Sequence, residues 1–381
     1  MTSQRPLHRN GALSLLGVAT LTIMVGSAIA PGLPAIADHM HIQMNPSWLI
    51  TLPALGVIVF GPPTGYLIGK CGPRSILVAG LMLYGLLGMA GAVLPSLPLV
   101  LLDRFLLGGA TAMIMASGTA LISDFYDGDA RLRMMARQGM AIELGGVVFL
   151  SLGGMLAELG WRFPFALYLV AWLFLALVIA YVPQPKPQES SPSAKGNAFS
   201  QVGDIYLAAV LCMLLFFVAV IALPRQLATA GHGQAMAGYY LAYVSLVAVA
   251  MAALMPRIRS VLGARNTFCA AFIFYGVAHV IFALQPGLPL LAIAGLSIGS
   301  GFGLSIPLAN HELVERSARG DRGRNLAYLA VAIFLGQFLS SFIETASSGA
   351  TVFIVAAVFA MISFLLFILV SRHFSKELSY A

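Results

Sequence analysis

Two stretches of the chain place ionisable groups inside otherwise apolar runs. One is VLLDRFLLGG, holding Asp103 and Arg104; the other is AIELGGVVFL, holding Glu143. A charged side chain at the centre of a bilayer costs about 2.5–3.5 kcal/mol, so each needs a reason to be there. A carboxyl withdrawn from water holds its proton more firmly, and a nearby cation loosens it. One acid whose surroundings change can therefore load a proton on one side of a barrier and release it on the other. Glu143 is read as such a protonation site, with Arg104 as its modulator. The alternative is a static ion pair holding two helices together. Asp103 neighbours Arg104 but points about 100° away around a helix, so it is no automatic partner, although it stays in the proton-coupling set.

Other reactive groups form no constellation. His39 and His41 follow Asp38, yet no phosphate-binding or nucleophile motif accompanies them, so no catalytic residue is assigned. His279 reads as a hydrogen-bonded packing residue. Cys71, Cys212 and Cys269 lie in or beside apolar runs without metal-ligand spacing. They read as small packing residues, and neither a metal nor a cofactor is expected.

The elements that must position these groups follow from composition. Of 381 residues, 59% are hydrophobic and only 9% charged, and the mean hydropathy is +0.91. Soluble domains carry about 25% charged residues. This chain must face lipid, and its net charge of +7 reports membrane orientation rather than nucleic-acid binding. A spanning helix needs about 20 apolar residues. That rule yields twelve spans, at about 11–36, 47–69, 75–95, 97–122, 135–158, 162–182, 204–224, 234–255, 266–284, 287–309, 325–345 and 349–371. The first run is too long for a cleaved signal peptide despite Arg5 and Arg9 before it. PQPKPQESSPSAKGNAFSQ, from Pro183 to Gln201, is the one extended polar stretch and reads as a flexible tether. The expected organisation is an all-α membrane protein. A six-helix bundle at 1–182, a linker at 183–203 and a second bundle at 204–381 make up the chain.

With the N-terminus inside, eighteen of the 21 Lys and Arg fall in inner segments, among them Arg5, Lys186, Lys195 and Arg319. Arg162 and Arg225 fall outside, and Arg104 lies within a span. Both termini are thus expected in the cytoplasm. In this frame Arg104 lies about 10 Å below the outer surface and Glu143 about 12 Å above the inner one. In a core about 30 Å thick, long side chains on neighbouring helices could meet.

The two halves also repeat. A shift of 191 positions puts Gly72-Pro73-Arg74 on Gly263-Ala264-Arg265, and Tyr84-Gly85 on Tyr275-Gly276. It puts Pro95, Leu97 and Pro98 on Pro286, Leu288 and Pro289, and Gly108 on Gly299. Arg131 and Arg133 fall on Arg322 and Arg324, and Leu144-Gly145 on Leu335-Gly336. A parallel duplication of a six-helix unit, with a site at the bilayer midplane between halves, describes an alternating-access transporter.

The loop GYLIGKCGPRSILVAG, from Gly65, adds a family resemblance. It resembles the signature loop of the major facilitator superfamily, G-x-L-x-D-R/K-x-G-R/K-R/K. Gly65, Leu67, Lys70, Gly72 and Arg74 match; Gly69 stands where the family usually has Asp, and Pro73 where it usually has a cation. The resemblance implies that Gly65, Lys70, Gly72 and Arg74 form a cytoplasmic gate loop; a plain turn with inside cations is the rival. VLLDRFLLGG resembles the family's fourth-helix motif at Arg104 and Gly108. Gly145, Gly153 and Gly154 resemble the antiporter motif G-x-x-x-G-P-x-x-G-G, with Phe149 and Leu150 in place of its Gly-Pro. The chain is thus similar to the drug- and metabolite-efflux branch. By that resemblance the first, fourth, seventh and tenth helices line the cavity. Met113, Met115, Phe216, Phe217, Tyr239, Tyr240, Tyr243, Phe334, Gln337 and Phe338 are the candidates for an adaptable aromatic pocket.

The expectation is a monomeric, multi-pass protein of the inner membrane that exports small organic molecules against protons. Its partners are a small-molecule substrate, protons and the lipid bilayer, not nucleic acid. The rival with the same fold is a proton-coupled importer of an organic acid or siderophore-like metabolite. A membrane-embedded enzyme and a non-transporting sensor are the readings from other classes.

Overall fold

The computed structural model describes residues 7–42, 45–126, 128–185, 199–285, 287–317, 321–346 and 349–380. Arg5, Lys186, Lys195, Pro286, Arg319 and linker residues 186–198 lie outside them.

Every regular element among the described residues is helical. The first half holds α1 (Arg9–Ser27), α2 (Leu33–His39), α3 (Trp48–Cys71), α4 (Pro73–Ala90), α5 (Leu97–Phe125) and α6 (Gly128–Leu159). A 3-10 stretch at Phe163–Leu169 then runs into α7 (Val170–Tyr181). The second half holds α8 (Phe199–Thr229), α9 (Gln234–Ala283), α10 (Leu288–Arg316), α11 (Arg322–Ala346) and α12 (Ala350–Tyr380).

Eleven of these segments are long and apolar enough to cross a membrane. The 50-residue α9 is one of them, and at about 1.5 Å per residue it would span some 75 Å if straight. It is not straight: Gly263 adopts φ 77° and ψ 161°, outside helical geometry. The break divides α9 into two spans, and the count becomes twelve. The first span was expected to reach residue 36 but ends at Ser27, and the short α2 follows with a proline in its first turn. Proline has no N–H to continue a ladder, so the chain restarts rather than extends.

The duplication is physical. Gly72, at the corner between α3 and α4, has φ 79° and ψ 151°, the conformation that Gly263 repeats 191 positions later. Only glycine enters that region without a steric penalty. Glycine also sets the same helix crossing twice. A Cβ added at Gly108 would collide with the Pro53 carbonyl oxygen, and one at Gly299 with the Val244 carbonyl oxygen. Both contacts step by 191 residues, so the α3–α5 crossing of the first half recurs as α9–α10 in the second.

Arginines follow the same register. Arg131 donates to the Tyr126 carbonyl at the end of α5 at 2.8 Å, and Arg322 to the Ser317 carbonyl at the end of α10 at 3.3 Å. Arg74 donates to the Val182 and Ile179 carbonyls at the end of α7, at 2.6 and 3.1 Å. Arg265 donates to the Ile368 carbonyl of α12 at 3.4 Å. A helix leaves its last carbonyls without intrahelical partners; Arg131, Arg322 and Arg74 cover some of them while complementing the negative helix end, whereas Arg265 meets α12 within its length.

The described residues pack into two compact units, Met1–Ser190 with Gly231–Ala242, and Ser191–Ala230 with Tyr243–Ala381. In the first, Leu15, Leu21, Leu77, Leu107 and Tyr84 are buried; in the second, Leu215, Phe272, Phe282 and Leu308 are. Leu102, Leu106, Met82 and Val148 are exposed, as a lipid-facing surface requires. Cys71 is exposed, whereas Cys212 and Cys269 are buried.

Candidate functional site

Glu143 lies in the middle of α6, seven and eleven residues before Leu150 and Gly154. At 100° per residue those three positions fall within about 20° of one stripe. Gly154 shows what that stripe faces. A Cβ there would meet the Gln234 carbonyl at 2.7 Å and the Gly238 Cα at 2.9 Å, both in the opening turns of α9. One turn further along α6, Glu158 Oε1 accepts from the Ala235 backbone N–H at 3.0 Å and so caps α9. Glu143, about 16 Å below Gly154 along the helix, therefore sits on a face that meets protein. Its Oε2 is buried and has no hydrogen-bond partner. Among the described residues no cation pairs with it.

Arg104 is placed elsewhere. Its side chain is fully buried, and Nη2 lies 2.8 Å and Nε 3.2 Å from Asp103 Oδ2. Nη2 also donates to the Leu87 and Gly88 carbonyls of α4, each at 3.2 Å. Nη1 lies 3.4 Å from the Tyr168 hydroxyl, which itself donates to the Val25 carbonyl at 2.8 Å. The rings of Phe165 and Tyr168 stand 5.3 and 5.4 Å from the guanidinium carbon, close enough for cation–π attraction. A Cβ at Gly91 would press on Nη2.

This corrects two sequence expectations. Arg104 does not meet Glu143, and Asp103 is its partner. A 100° offset around the helix separates two Cβ atoms but not the ends of a long guanidinium arm folded back over its own turn. Arg104 ties α5 to α4 and to the 3-10 stretch.

The gate-loop residues occupy the α3–α4 corner. Gly65 and Lys70 are exposed, and Lys70 Nζ stands 4.6 Å from the Tyr66 ring centroid. Gly72 makes the corner, and Arg74 caps α7 as described.

The pocket candidates sort by neighbour. Met113 packs on α4, its Cβ 2.9 Å from where a Gly80 Cβ would lie, and Met115 is half-buried. Phe216 stacks on Phe302 with centroids 4.1 Å apart, and Phe217 meets it edge-on at 5.6 Å. Tyr239 is 49% exposed, whereas Tyr240 is buried. The Tyr243 hydroxyl donates to the Ala292 carbonyl at 3.1 Å. Phe334 and Gln337 are buried in α11, and Phe338 meets Phe342 edge-on at 5.5 Å. A cavity of about 230 Å³ in the first unit is lined by Ile42, Asn45, Trp48, Leu49, Leu97 and Leu101. None of the expected residues lines it.

Sequence reasoning missed Tyr84 and Tyr168, whose hydroxyls bond the Leu21 and Val25 carbonyls of α1. The signal available was the repeat: Tyr84 and Tyr275 share its register, and the Tyr275 hydroxyl lies 3.2 Å from Ser305 Oγ.

Comparison with known proteins places this architecture. Residues 15–223 match the family model described as Major Facilitator Superfamily. "Multidrug resistance protein 1" of Bacillus subtilis (strain 168) is 22% identical over 193 residues, 49% of this chain and 49% of that protein. "Quinolone resistance protein NorA" of Staphylococcus aureus is 27% identical over 146 residues, 38% of this chain and 37% of its own. The matched stretches thus span half or less of these relatives. A crystal structure of a D-xylose-proton symporter superposes with a TM-score of 0.74 at 18% identity, covering 94% of this chain and 95% of that one. It shares the fold.

Proposed function

The chain belongs to the major facilitator superfamily, and from that premise we propose that it is a proton-coupled exporter of small organic molecules working by alternating access. The observation that carries this reading is Glu143, whose Oε2 is buried without a partner in mid-span. A carboxyl so placed is stable when protonated and costly when charged, so a change in its access to water moves a proton. Arg104 does not compensate it, being engaged by Asp103. Glu143 therefore acts alone in the first unit, and the Arg104–Asp103 pair serves as scaffold for the helices around it.

Export is favoured by the relatives, two of which are named for resistance to drugs or quinolones. The remnant Gly153-Gly154 of the antiporter-like motif points the same way. Gly153 packs on the Ala28 carbonyl after α1 and Gly154 on α9, so the pair lets α6 pass closely between two helices. The cation distribution favours both termini in the cytoplasm, and the bacterial relatives favour an inner membrane. In this reading the two six-helix halves, joined by a linker at 183–203, work as a monomer.

The second reading is import by proton symport, favoured by the fold shared with a D-xylose-proton symporter. A growth screen of an overexpressing strain across drugs and metal-chelating metabolites identifies the substrate. Everted vesicles with an acidified interior then decide direction, because an exporter accumulates substrate in them and a symporter does not. Glu143→Gln vesicles that still accumulate substrate on a pH gradient would remove Glu143 from the coupling step.

A further inference from the structure

At the helix ends on the side of the Gly263 corner, the second unit carries a charge network. Arg316 Nη1 of α10 lies 2.8 Å from Asp204 Oδ2 near the start of α8, and Arg316 Nη2 lies 3.1 Å from Glu312 Oε2, one turn earlier. Glu312 Oε1 in turn lies 2.6 Å from Arg259 Nε, in the last turn of α9 before its Gly263 break. Asp204 and Glu312 are each 4% exposed. A single chain of four charged side chains thus joins three helix ends.

Among the described residues, the matching positions of the first unit make no such chain. Stepping back 191 residues replaces Asp204, Arg259, Glu312 and Arg316 by Leu13, Ile68, Leu121 and Phe125. Leu121 and Phe125 are buried, as is Glu312, whereas Leu13 is exposed, so the end of α5 is packed with apolar side chains where the end of α10 carries an ion pair. Buried ion pairs rarely stabilise more than a well-packed apolar set of similar volume, whereas removing one partner of a pair is costly. Burying a helix end does not require charges, as Leu121 and Phe125 at the end of α5 show. What charges add is interdependence. Apolar contacts weaken one at a time; a linear network with partly desolvated members fails as a whole when one link is removed.

We propose that Asp204, Arg316, Glu312 and Arg259 form a clasp that makes these ends of α8, α9 and α10 loosen together or not at all. The coupling is a property of the folded chain whatever it carries. Asp204 and Arg259 share no bond and communicate only through Arg316 and Glu312, which makes them the informative pair.

Hydrogen exchange on the full-length protein in detergent, followed by mass spectrometry, reads the coupling. Asp204→Asn is expected to speed exchange about tenfold or more not only at 202–206 but also at 257–262 and 312–317, with mid-helix segments unchanged. Arg259→Gln is expected to speed the same three segments. The double variant is expected to exchange no faster than the faster single one, because residues in one network do not act additively. Acceleration confined to the mutated helix overturns the clasp. So does a double variant whose acceleration equals the product of the singles. Glu312→Gln, which keeps the side-chain shape, serves if Asp204→Asn is poorly folded: faster exchange at both 202–206 and 257–262 supports the clasp, and exchange altered only within α10 rejects it.

Discussion

Arg104 closes on the carboxylate of its chain neighbour Asp103, with Nη2 2.8 Å and Nε 3.2 Å from Oδ2. The guanidinium is fully buried, and its remaining contacts run to α4 carbonyls, Tyr168 and two aromatic rings. Removing one member of a buried pair leaves an uncompensated charge and costs about 3–5 kcal/mol. Asp103→Asn and Arg104→Gln should therefore both reduce folded protein, measured by thermal unfolding in detergent. A variant that loses transport while keeping its unfolding temperature would show that the pair is functional rather than structural.

Glu143→Gln should behave in the opposite way. The neutral amide matches the protonated acid in shape and relieves the cost of a buried carboxylate, so stability is kept or rises slightly. Substrate exchange between equal pools should persist, while accumulation on a pH gradient falls by about tenfold or more, a loss of 1.4 kcal/mol of coupling. Paired exchange and accumulation assays in proteoliposomes check this.

The two glycine crossings should be equally intolerant. Gly108→Ala and Gly299→Ala each drive a methyl against a carbonyl oxygen of the facing helix, an overpacking expected to cost about 1–3 kcal/mol. At Gly276 the nearest atom to an added methyl would be Ala360 Cβ at 3.7 Å. There alanine should be neutral or stabilising by up to about 1 kcal/mol. Unfolding temperatures of the three variants test the ranking.

The arginine caps should rank by their bonds. Arg131 makes two, at 2.8 and 2.7 Å to Tyr126 and Ser123, whereas the bond from Arg322 to Ser317 measures 3.3 Å. A hydrogen bond from a charged donor contributes about 1.5–3 kcal/mol. Arg131→Gln should therefore destabilise more than Arg322→Gln, and Arg74→Gln more than Arg265→Gln. Hydrogen exchange at the ends of α5, α10 and α7, and around Ile368 within α12, measures each contact where it acts.

The fold was legible because lipid imposes length and apolarity on every span, and a duplication preserves the positions that backbone geometry constrains. Gly72 with Gly263, Gly108 with Gly299 and Arg131 with Arg322 all kept their register for that reason. The site was less legible. Asp103 was discounted on helical angle, although side-chain length decides such contacts. Met113 suited a pocket by residue type, but its Cβ packs on Gly80, and composition does not distinguish those faces. Asp204, Arg259 and Arg316 carried no local sequence signal, because their network joins residues up to 112 apart in sequence.

One practical consequence lies in the thiols. With Cys71 exposed and Cys212 and Cys269 buried, a maleimide fluorophore or nitroxide should attach to the native chain at one site, adjoining the Gly72 corner. Spectroscopy at that corner can then begin without a cysteine-free background.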